Sequence, residues 1–298
     1  MSVDVDSAAI TQIADAVARG QCLLFLGAGV HGPPPPASPY VYPKEERPPL
    51  GSALSQWLAE KCDLATHYPN EDTKNLQRTS LFYETMRTRR QLVQEIEAVV
   101  QAGKKPSPVL RGLAELGFTL IITTNYDQLL ERALRDAGSE PRVTVYSPDS
   151  TRPTEQYLDD PKPAGPFVFK IHGDIGTPES VVITDEDYIH FVLRMRDQKP
   201  FYPVPGIFTF QFERWTTLFV GYSLVDYNLR LLFKTLRWGV DRANIPDAYS
   251  VDCQPDPLVV EVFENQQKYL KFIVEDAWTF VPALYHTVCG KEMPDYRD

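Results

Sequence analysis

Residues 118–134 read Phe-Thr-Leu-Ile-Ile-Thr-Thr-Asn-Tyr-Asp-Gln-Leu-Leu-Glu-Arg-Ala-Leu. The first half is a short, nearly all-apolar run, typical of a strand that is buried on both faces of a parallel sheet. The second half has helical spacing, with apolar residues on one side and charges on the other. Between the two halves lie the polar residues Thr123 to Asp127. Open α/β sheets bind ligands at the carboxyl ends of their strands, so this turn is a candidate site.

The polar turn also has a purely structural interpretation. Asn125 and Asp127 are both residue types that cap helices well. One such residue is enough to cap a helix, so capping does not explain why both Asn125 and Asp127 are present.

Composition limits the classes of protein to consider. The chain has 298 residues, 43% of them apolar, with 15 Phe and 15 Tyr, which is ample for a sizeable core. A net charge of −10 argues against a direct nucleic-acid partner, because phosphate binding needs a basic face. Arg87, Arg89 and Arg90 are close in sequence, and we expect them to form a solvated helix face.

The N-terminus, the apolar runs and the cysteine spacing bear on where the protein is located. Residues 1–6 are acidic and polar, unlike a signal peptide, and no run approaches the roughly 18 apolar residues of a membrane helix. The four cysteines are scattered and offer neither a zinc knuckle nor a disulfide framework. We therefore expect reduced thiols, a cytoplasmic location and no membrane partner.

The segment 27–32 reads Gly-Ala-Gly-Val-His-Gly and follows the apolar strand Cys22–Leu26. It matches the GxGxxG pattern of dinucleotide-binding turns, which requires a helix to begin on the motif. Four prolines, Pro33 to Pro36, follow at once and cannot continue a helix, so the ordinary dehydrogenase fingerprint is rejected. What remains is a turn of small residues whose amides can approach a phosphate, or simply a tight structural turn.

Strand and helix patterns alternate along the rest of the chain. This alternation predicts an α/β fold with a doubly wound, mainly parallel sheet in a single domain over residues 1–298. Helical patterns without strands predict an inserted helical subdomain at about 51–108, and a smaller insertion is expected at about 176–213. The other predicted strands are Arg142–Tyr146, Phe167–Ile171, Thr217–Val220, Ala248–Val251 and Phe272–Val274. A surface loop is predicted at Pro148–Pro166, and helices are predicted after Asp226 and at about 257–270.

Four polar or glycine-rich turns come directly after apolar strands. They are Gly27–Gly29, Thr123–Asp127, His172–Asp174 and Gly221–Ser223. Because parallel strands end along one edge of a sheet, we expect the four turns to converge in space. This convergence favours a ligand site over the separate structural interpretations of Asn125 and His172.

Taken in order, Gly-Ala-Gly, Thr-Xaa-Asn-Xaa-Asp, His-Gly and Gly-Xaa-Ser-Leu resemble the sirtuin family. The versions Ile-Ile-Thr-Thr-Asn-Tyr-Asp and Lys-Ile-His-Gly-Asp are similar to the sirtuin-like domains of bacterial antiphage defence systems. The resemblance runs from about Leu23 to Val281 and implies a Rossmann-like, sirtuin-type fold. The chain departs from sirtuin deacylases in lacking their four-cysteine zinc subdomain and their Gly-Ile-Pro-Asp-Phe-Arg loop, and it has Thr124 where they have glutamine.

The resemblance implies NAD as the ligand and substrate, with no zinc or other metal. Asn125 would orient the nicotinamide ribose or an attacking water, and Asp127 would support the loop and contact the ribose. His172 would be the general base, as an imidazole near its usual pKa of about 6.5. The residues expected to bind the nucleotide are Gly27, Ala28 and Gly29, through amides to the diphosphate, with Thr124, Gly221 and Ser223.

The missing peptide-binding parts favour water as the acceptor. The resemblance therefore implies an NAD hydrolase that releases nicotinamide and ADP-ribose, as an abortive-infection effector of antiphage defence. The alternatives are an NAD-dependent deacylase or ADP-ribosyltransferase, and a non-catalytic NAD- or ADP-ribose-binding subunit of a larger complex. A homo-oligomer or a partner subunit, such as an ATPase, nuclease or Argonaute-like protein, is expected to control activity, with contacts at the helical insertion.

Overall fold

The computed structural model describes residues 7–149, 165–195, 203–223, 246–266 and 270–296. Seven strands form one sheet in the order β3-β4-β2-β1-β5-β6-β7, and every pair of neighbouring strands is parallel. The strands are β1 Cys22–Leu26, β2 Leu120–Thr123, β3 Arg142–Val145, β4 Phe167–Lys170, β5 Thr216–Val220, β6 Ala248–Val251 and β7 Lys271–Ile273. The predicted parallel α/β sheet is confirmed.

The register of the central strands sets the position of the four turns. Leu26 at the end of β1 is level with Thr123 of β2 and Val220 of β5, and Thr123 is level with Lys170 of β4. The chain therefore leaves these four strands at one height along the carboxyl edge. The expected convergence follows directly from this alignment.

Helices cover both faces of the sheet because the central strands are apolar on both sides. The α-helices are α1 Ser7–Ala18, α2 Gly51–Lys61, α3 Leu64–His67, α4 Leu76–Met86, α5 Arg89–Val100, α6 Pro108–Glu115, α7 Leu129–Asp136, α8 Asp185–Met195, α9 Gly206–Phe212, α10 Pro257–Val260 and α11 Ala277–Cys289. Helices α1, α6, α7 and α11 share one core with Leu24, Leu26 and Ile121. Alternate strand residues, such as Phe25 and Phe219, share the opposite core with α8 and α9. The sheet is doubly wound.

Helices α2 to α5 form a layer with its own apolar core, as the helical pattern of this region predicts. Leu58, Leu92 and Ile96 are buried there, and the same core includes Val181 and Ile183 from the segment after β4. The helical layer therefore packs against the carboxyl edge of the sheet, beside the four turns.

Arg89 corrects one expectation about this layer. Its guanidinium lies 2.7 Å from Asp187 of α8 and 3.1 Å from Glu84, and it donates to the carbonyl oxygen of Val181. Arg89 is thus a half-buried tie between α5 and α8 rather than part of a solvated face, whereas Arg87 and Arg90 are exposed.

Other differences concern helices. The sequence pattern did not predict α11, which contains Pro282 and yet packs Phe280, Val281 and Leu284 into the core. The helix predicted over 257–270 consists of α10 followed by π-helical turns at Glu261–Gln266. The loop predicted at Pro148–Pro166 and the helix predicted after Asp226 lie largely or wholly outside the described residues.

All four cysteines are free, and no helix among the described residues is long and apolar enough to cross a membrane.

Candidate active site

A cavity of about 390 Å³ lies at the carboxyl edge of the sheet, under the helical layer. Its volume is in the range of small-molecule sites in proteins. Seven of the nine predicted site residues line it, namely Asn125, His172, Asp127, Ala28, Thr124, Gly221 and Ser223. Gly27 and Gly29 do not line it. Helices α2, α4 and α5 contribute Leu54, Gln77 and Val100 to the opposite wall.

The glycines at β1 and β5 are required by the close approach of two backbones. Gly29 donates its amide to the carbonyl of Gly221 at 2.9 Å, and Gly27 donates to Val220 at 3.0 Å. A Cβ on Gly29 would lie 2.7 Å from the Gly221 oxygen, and Gly221 itself has a φ of +78°. Two of the three amides expected to contact a diphosphate are therefore used inside the protein. The amide of Ala28 remains as the candidate donor to a diphosphate. Ala28 lines the cavity, and its amide has no partner among the described residues.

The turn between β2 and α7 separates the roles of its two polar residues. Asp127 accepts the amide of Leu129 through Oδ1 at 3.0 Å, so it braces the start of α7. Asn125 donates its backbone amide to Thr123 Oγ1 at 3.1 Å, and its side chain makes no cap. Its Oδ1 is buried and has no hydrogen-bond partner among the described residues. A buried polar atom without a partner is costly and is suited to receive a donor from a ligand.

Lys170, at the end of β4, joins the Asn125 turn to the His172 turn. The side chain is completely buried, and its ammonium contacts Glu131 at 3.1 Å and also Asp174. It further donates to the carbonyl oxygens of Tyr126 and Asp127. These carboxylates raise the pKa of Lys170 against the effect of burial, so the ammonium stays charged. One cation thus fixes the spacing between the two turns.

His172 is 7% exposed and its ring packs edge-on against Tyr188 and Phe191. Its Nδ1 lies 3.4 Å from the hydroxyl of Tyr188. Tyr126 gives its hydrogen to the carbonyl of Val182 at 2.9 Å. The Tyr188 hydroxyl therefore positions the imidazole of His172 at Nδ1 and leaves Nε2 as its other polar atom.

The acid–base expectation for His172 needs a correction. Burial lowers the pKa of its imidazole to about 3, so the expectation of a pKa near 6.5 is wrong. The cause is desolvation of the charged form by burial, with the rings of Tyr188 and Phe191 packed against the imidazole. His172 is consequently neutral at pH 7 and is a weaker base than an exposed histidine.

Several side chains at this site were not anticipated from the sequence. Tyr222 contacts Thr124 through hydroxyls 2.9 Å apart and also donates to the carbonyl of Leu26. His31 is 2% exposed and lies in the cavity wall, with Nε2 3.9 Å from Asp127. Only their positions in the sequence could have indicated these residues. Tyr222 and His31 lie within the glycine-rich turns after β5 and β1, and Lys170 lies within Lys-Ile-His-Gly-Asp.

The chemistry open to the cavity follows from its donor and acceptor set. No three His, Cys, Asp or Glu side chains in the described part of the chain are grouped to hold a metal ion. The wall combines a free amide at Ala28 with an acceptor oxygen at Asn125 and a neutral imidazole at His172. Such a set can bind a phosphate-bearing ligand that also carries hydroxyl or amide donors.

The chain was compared with known proteins. A family model described as SIR2-like domain matches residues 119–273, just over half of the chain. An "NAD(+) hydrolase ThsA" of Acinetobacter baumannii (strain 532279) is 27% identical over 233 residues, covering 76% of this chain and 42% of that protein. A second "NAD(+) hydrolase ThsA", from Enterococcus faecium, is 33% identical over 129 residues, covering 43% of this chain and 24% of that protein.

A third relative is "Defense-associated sirtuin 2" of Bacillus subtilis, 25% identical over 173 residues. The match covers 56% of this chain and 16% of that protein. The alignments therefore span less than half the length of each of these three relatives.

Proposed function

The chain belongs to the SIR2-like domain family, and from that premise we propose that it hydrolyses NAD⁺ to nicotinamide and ADP-ribose. One observation carries the proposal: Asn125 and His172 line the same cavity, one with an unpartnered buried oxygen and the other with a neutral imidazole held at Nδ1 by Tyr188. In this proposal His172 carries its hydrogen on Nδ1 and presents Nε2 as the acceptor. The relatives named as NAD(+) hydrolases support this reaction. The relative named as a defence-associated sirtuin supports a role in antiphage defence.

The reaction breaks the bond between the nicotinamide nitrogen and C1′ of the ribose, and water forms a new bond to C1′. Nicotinamide leaves as a neutral molecule, so its departure requires no proton. Cleavage of such a bond develops positive, oxocarbenium-like character at the sugar. Water that adds to such a centre becomes strongly acidic and releases one proton. A base as weak as His172, with a pKa of about 3, is therefore adequate to accept it.

The remaining residues hold the substrate in this proposal. Asn125 presents its side-chain oxygen to a ribose hydroxyl or to the attacking water. Ala28 offers its amide to the diphosphate, and Thr124, Gly221 and Ser223 line the nucleotide. Asp127 braces the turn that carries Asn125 and faces the cavity with its carboxylate.

Incubation of the purified protein with NAD⁺, followed by chromatography of the products, tests the proposal. We expect nicotinamide and ADP-ribose from the wild type and a loss of at least 100-fold, on the order of 2.7 kcal/mol, in Asn125→Ala and His172→Ala. His190→Ala is the matched control, because His190 is an exposed histidine on α8. Full turnover by Asn125→Ala and His172→Ala would refute the assignment of these two residues.

A second candidate function is binding of NAD⁺ or ADP-ribose without turnover. The depressed pKa of His172 favours it, since a base of pKa about 3 is weak at the start of the reaction. Calorimetric binding of NAD⁺ with no product release, in the isolated chain and in its complete assembly, would establish this function instead.

Control of such an activity belongs to the same proposal. An unrestrained NAD⁺ hydrolase would deplete its own cell, so we propose that a second copy or a partner subunit switches the chain on in the cytoplasm. The helical layer α2–α5 forms one wall of the cavity, and a partner docked on that layer is well placed to change access. Turnover measured with and without the proteins encoded beside this chain tests the switch.

A further inference from the structure

His31 is a buried histidine that the proposed reaction does not use. It ends the 3-10 turn Ala28–His31 that follows β1, and its side chain is 2% exposed. It lines the cavity beside Asn125 and Asp127. A polar ring in this position requires partners for both of its nitrogens.

The first nitrogen has a defined partner. His31 Nδ1 lies 3.3 Å from the hydroxyl of Tyr42. That hydroxyl donates to the carbonyl of Lys105 at 2.8 Å, with the carbonyl of Glu46 at 3.4 Å. Tyr42 has one hydrogen and gives it to these carbonyls, so His31 Nδ1 must be the donor to the Tyr42 oxygen. A neutral imidazole that carries its hydrogen on Nδ1 has an acceptor at Nε2.

The second nitrogen has no partner. His31 Nε2 is buried, forms no hydrogen bond to any described residue and lies 3.9 Å from Asp127 Oδ1. Burial lowers the pKa of His31 more than the Asp127 carboxylate raises it, so the ring has no second hydrogen to donate. Two acceptors therefore face each other. Asp127 Oδ1 already accepts the amide of Leu129, but no described residue donates to His31 Nε2. This costs free energy unless a bound molecule supplies the hydrogens.

Resting on the proposed function, we infer that His31 Nε2 and the Asp127 carboxylate form a two-acceptor subsite for adjacent N–H or O–H donors of NAD⁺. Two parts of NAD⁺ have this chemistry, the carboxamide NH₂ of nicotinamide and the vicinal hydroxyls of a ribose. A group without hydrogens to donate leaves His31 Nε2 unpaired, which is a strong basis for discrimination. His31 is thus a specificity-determining residue, and it acts on a different part of the substrate from the base His172.

Two ligands distinguish which of these two parts of NAD⁺ binds at the subsite. Nicotinamide carries the carboxamide without the diol, and ADP-ribose carries diols without the carboxamide. NMR or calorimetric titration of the wild type, His31→Met and His31→Gln measures both affinities. We expect His31→Met to bind one of the two ligands about tenfold more weakly, with the other within twofold. His31→Gln, which restores an acceptor, should recover most of the loss.

The outcomes are distinct. Weaker nicotinamide binding assigns the subsite to the carboxamide, and weaker ADP-ribose binding assigns it to the diol. Equal affinities in His31→Met and wild type, or equal losses for both ligands, overturn the subsite. Wild type that binds neither ligand overturns the subsite together with the proposed function. Wild type that binds them but releases no product from NAD⁺ overturns hydrolysis alone.

Tyr42 gives an independent check with a matched control. Tyr42→Phe frees the His31 ring to carry its hydrogen on Nε2, so the same ligand should bind a few-fold more weakly. Tyr40→Phe removes another buried hydroxyl, one that donates to the Met293 carbonyl at 3.4 Å and does not reach His31. It should leave both affinities unchanged. An effect of Tyr40→Phe equal to that of Tyr42→Phe would contradict the proposed chain.

Discussion

His31 and His172 reach the same cavity from the turns after β1 and β4, and each is held at Nδ1 by a tyrosine hydroxyl. Tyr42 lies 3.3 Å from His31 Nδ1, and Tyr188 lies 3.4 Å from His172 Nδ1. Tyr42 gives its hydrogen to the carbonyl of Lys105, and burial lowers the pKa of both imidazoles. The cavity therefore has two neutral, preorganised imidazoles in place of one titrating histidine, and in our proposals both present Nε2 as an acceptor.

The first prediction concerns Tyr188. Tyr188→Phe removes the acceptor for His172 Nδ1, and the ring can then place its hydrogen on Nε2, where it cannot act as a base. We expect kcat for NAD⁺ cleavage to fall about tenfold with little change in KM, because substrate contacts remain. Steady-state kinetics measure both constants.

Tyr146→Phe is the control for this change. Tyr146 is also buried and packs against Phe191, but its hydroxyl takes no part in the His172 chain. Its kcat should equal that of the wild type. A Tyr188→Phe enzyme with an unchanged kcat would show that the tautomer of His172 does not matter.

The second prediction is a pH dependence of stability. His172 has a folded pKa of about 3, below the 6.5 of an unfolded chain. Below pH 6.5 His172 therefore binds a proton in the unfolded chain but stays neutral in the folded protein. The free energy of unfolding consequently falls as the pH falls toward 3. Between pH 7 and 5.5 this linkage costs the wild type about 1 kcal/mol.

Urea unfolding at these two pH values measures the effect as a difference between variants. His172→Gln should lose about 1 kcal/mol less than the wild type over the same interval. His190→Gln removes an exposed histidine and should follow the wild type. Parallel losses in the wild type and His172→Gln would mean that His172 is solvated in the folded state.

The third prediction tests the buried cation between the two turns. Lys170→Met leaves the carboxylates of Glu131 and Asp174 buried without their counter-charge. We expect the free energy of unfolding to fall by about 3 kcal/mol. Adding Glu131→Gln should recover part of this loss, because it removes one of the two uncompensated charges.

An exposed ion pair supplies the comparison for Lys170. Lys61 lies 3.9 Å from Glu95 on the surface, and Lys61→Met should cost less than about 1 kcal/mol. Denaturant unfolding of the three variants gives these values. If Lys170→Met were as mild as Lys61→Met, the spacing of the turns would depend on other contacts.

Apolar runs predicted the sheet well, because a strand buried on both faces needs an uninterrupted apolar sequence. Cys22–Leu26 and Ala248–Val251 have the predicted bounds. The parallel alignment of these runs was also enough to predict that the four turns meet. Helix α11 was not predicted; it contains Pro282, which is unfavourable within a helix, and its packing in the core shared with α1 and α6 compensates.

The finer parts of the site depend on contacts that no local pattern encodes. The Tyr42 hydroxyl joins His31 to the carbonyl of Lys105, residues that are far apart in sequence. The low pKa of His172 comes from burial by α8, and burial depends on the finished packing. The amides of Gly27 and Gly29 looked available because the sequence does not show that β5 ends beside them.

The last prediction concerns that contact between β1 and β5. Gly29→Ala places a Cβ 2.7 Å from the Gly221 oxygen and 2.9 Å from two further backbone atoms of Gly221. Backbone atoms cannot move aside as the end of a side chain can, so the two turns must separate. Gly221→Ala adds the strain of a φ of +78° to a contact of 2.5 Å with the Val30 amide. Each change should cost about 2 kcal/mol or more.

Separation of these turns should also displace Ala28 from the cavity wall, so NAD⁺ binding should weaken along with thermal stability. Gly206→Ala is the matched control, because a Cβ there meets no atom within 4 Å. It should change neither property. Thermal unfolding and calorimetric titration with NAD⁺ measure the two effects. A Gly29→Ala protein with wild-type stability and affinity would show that the approach of the two turns is not needed for the site.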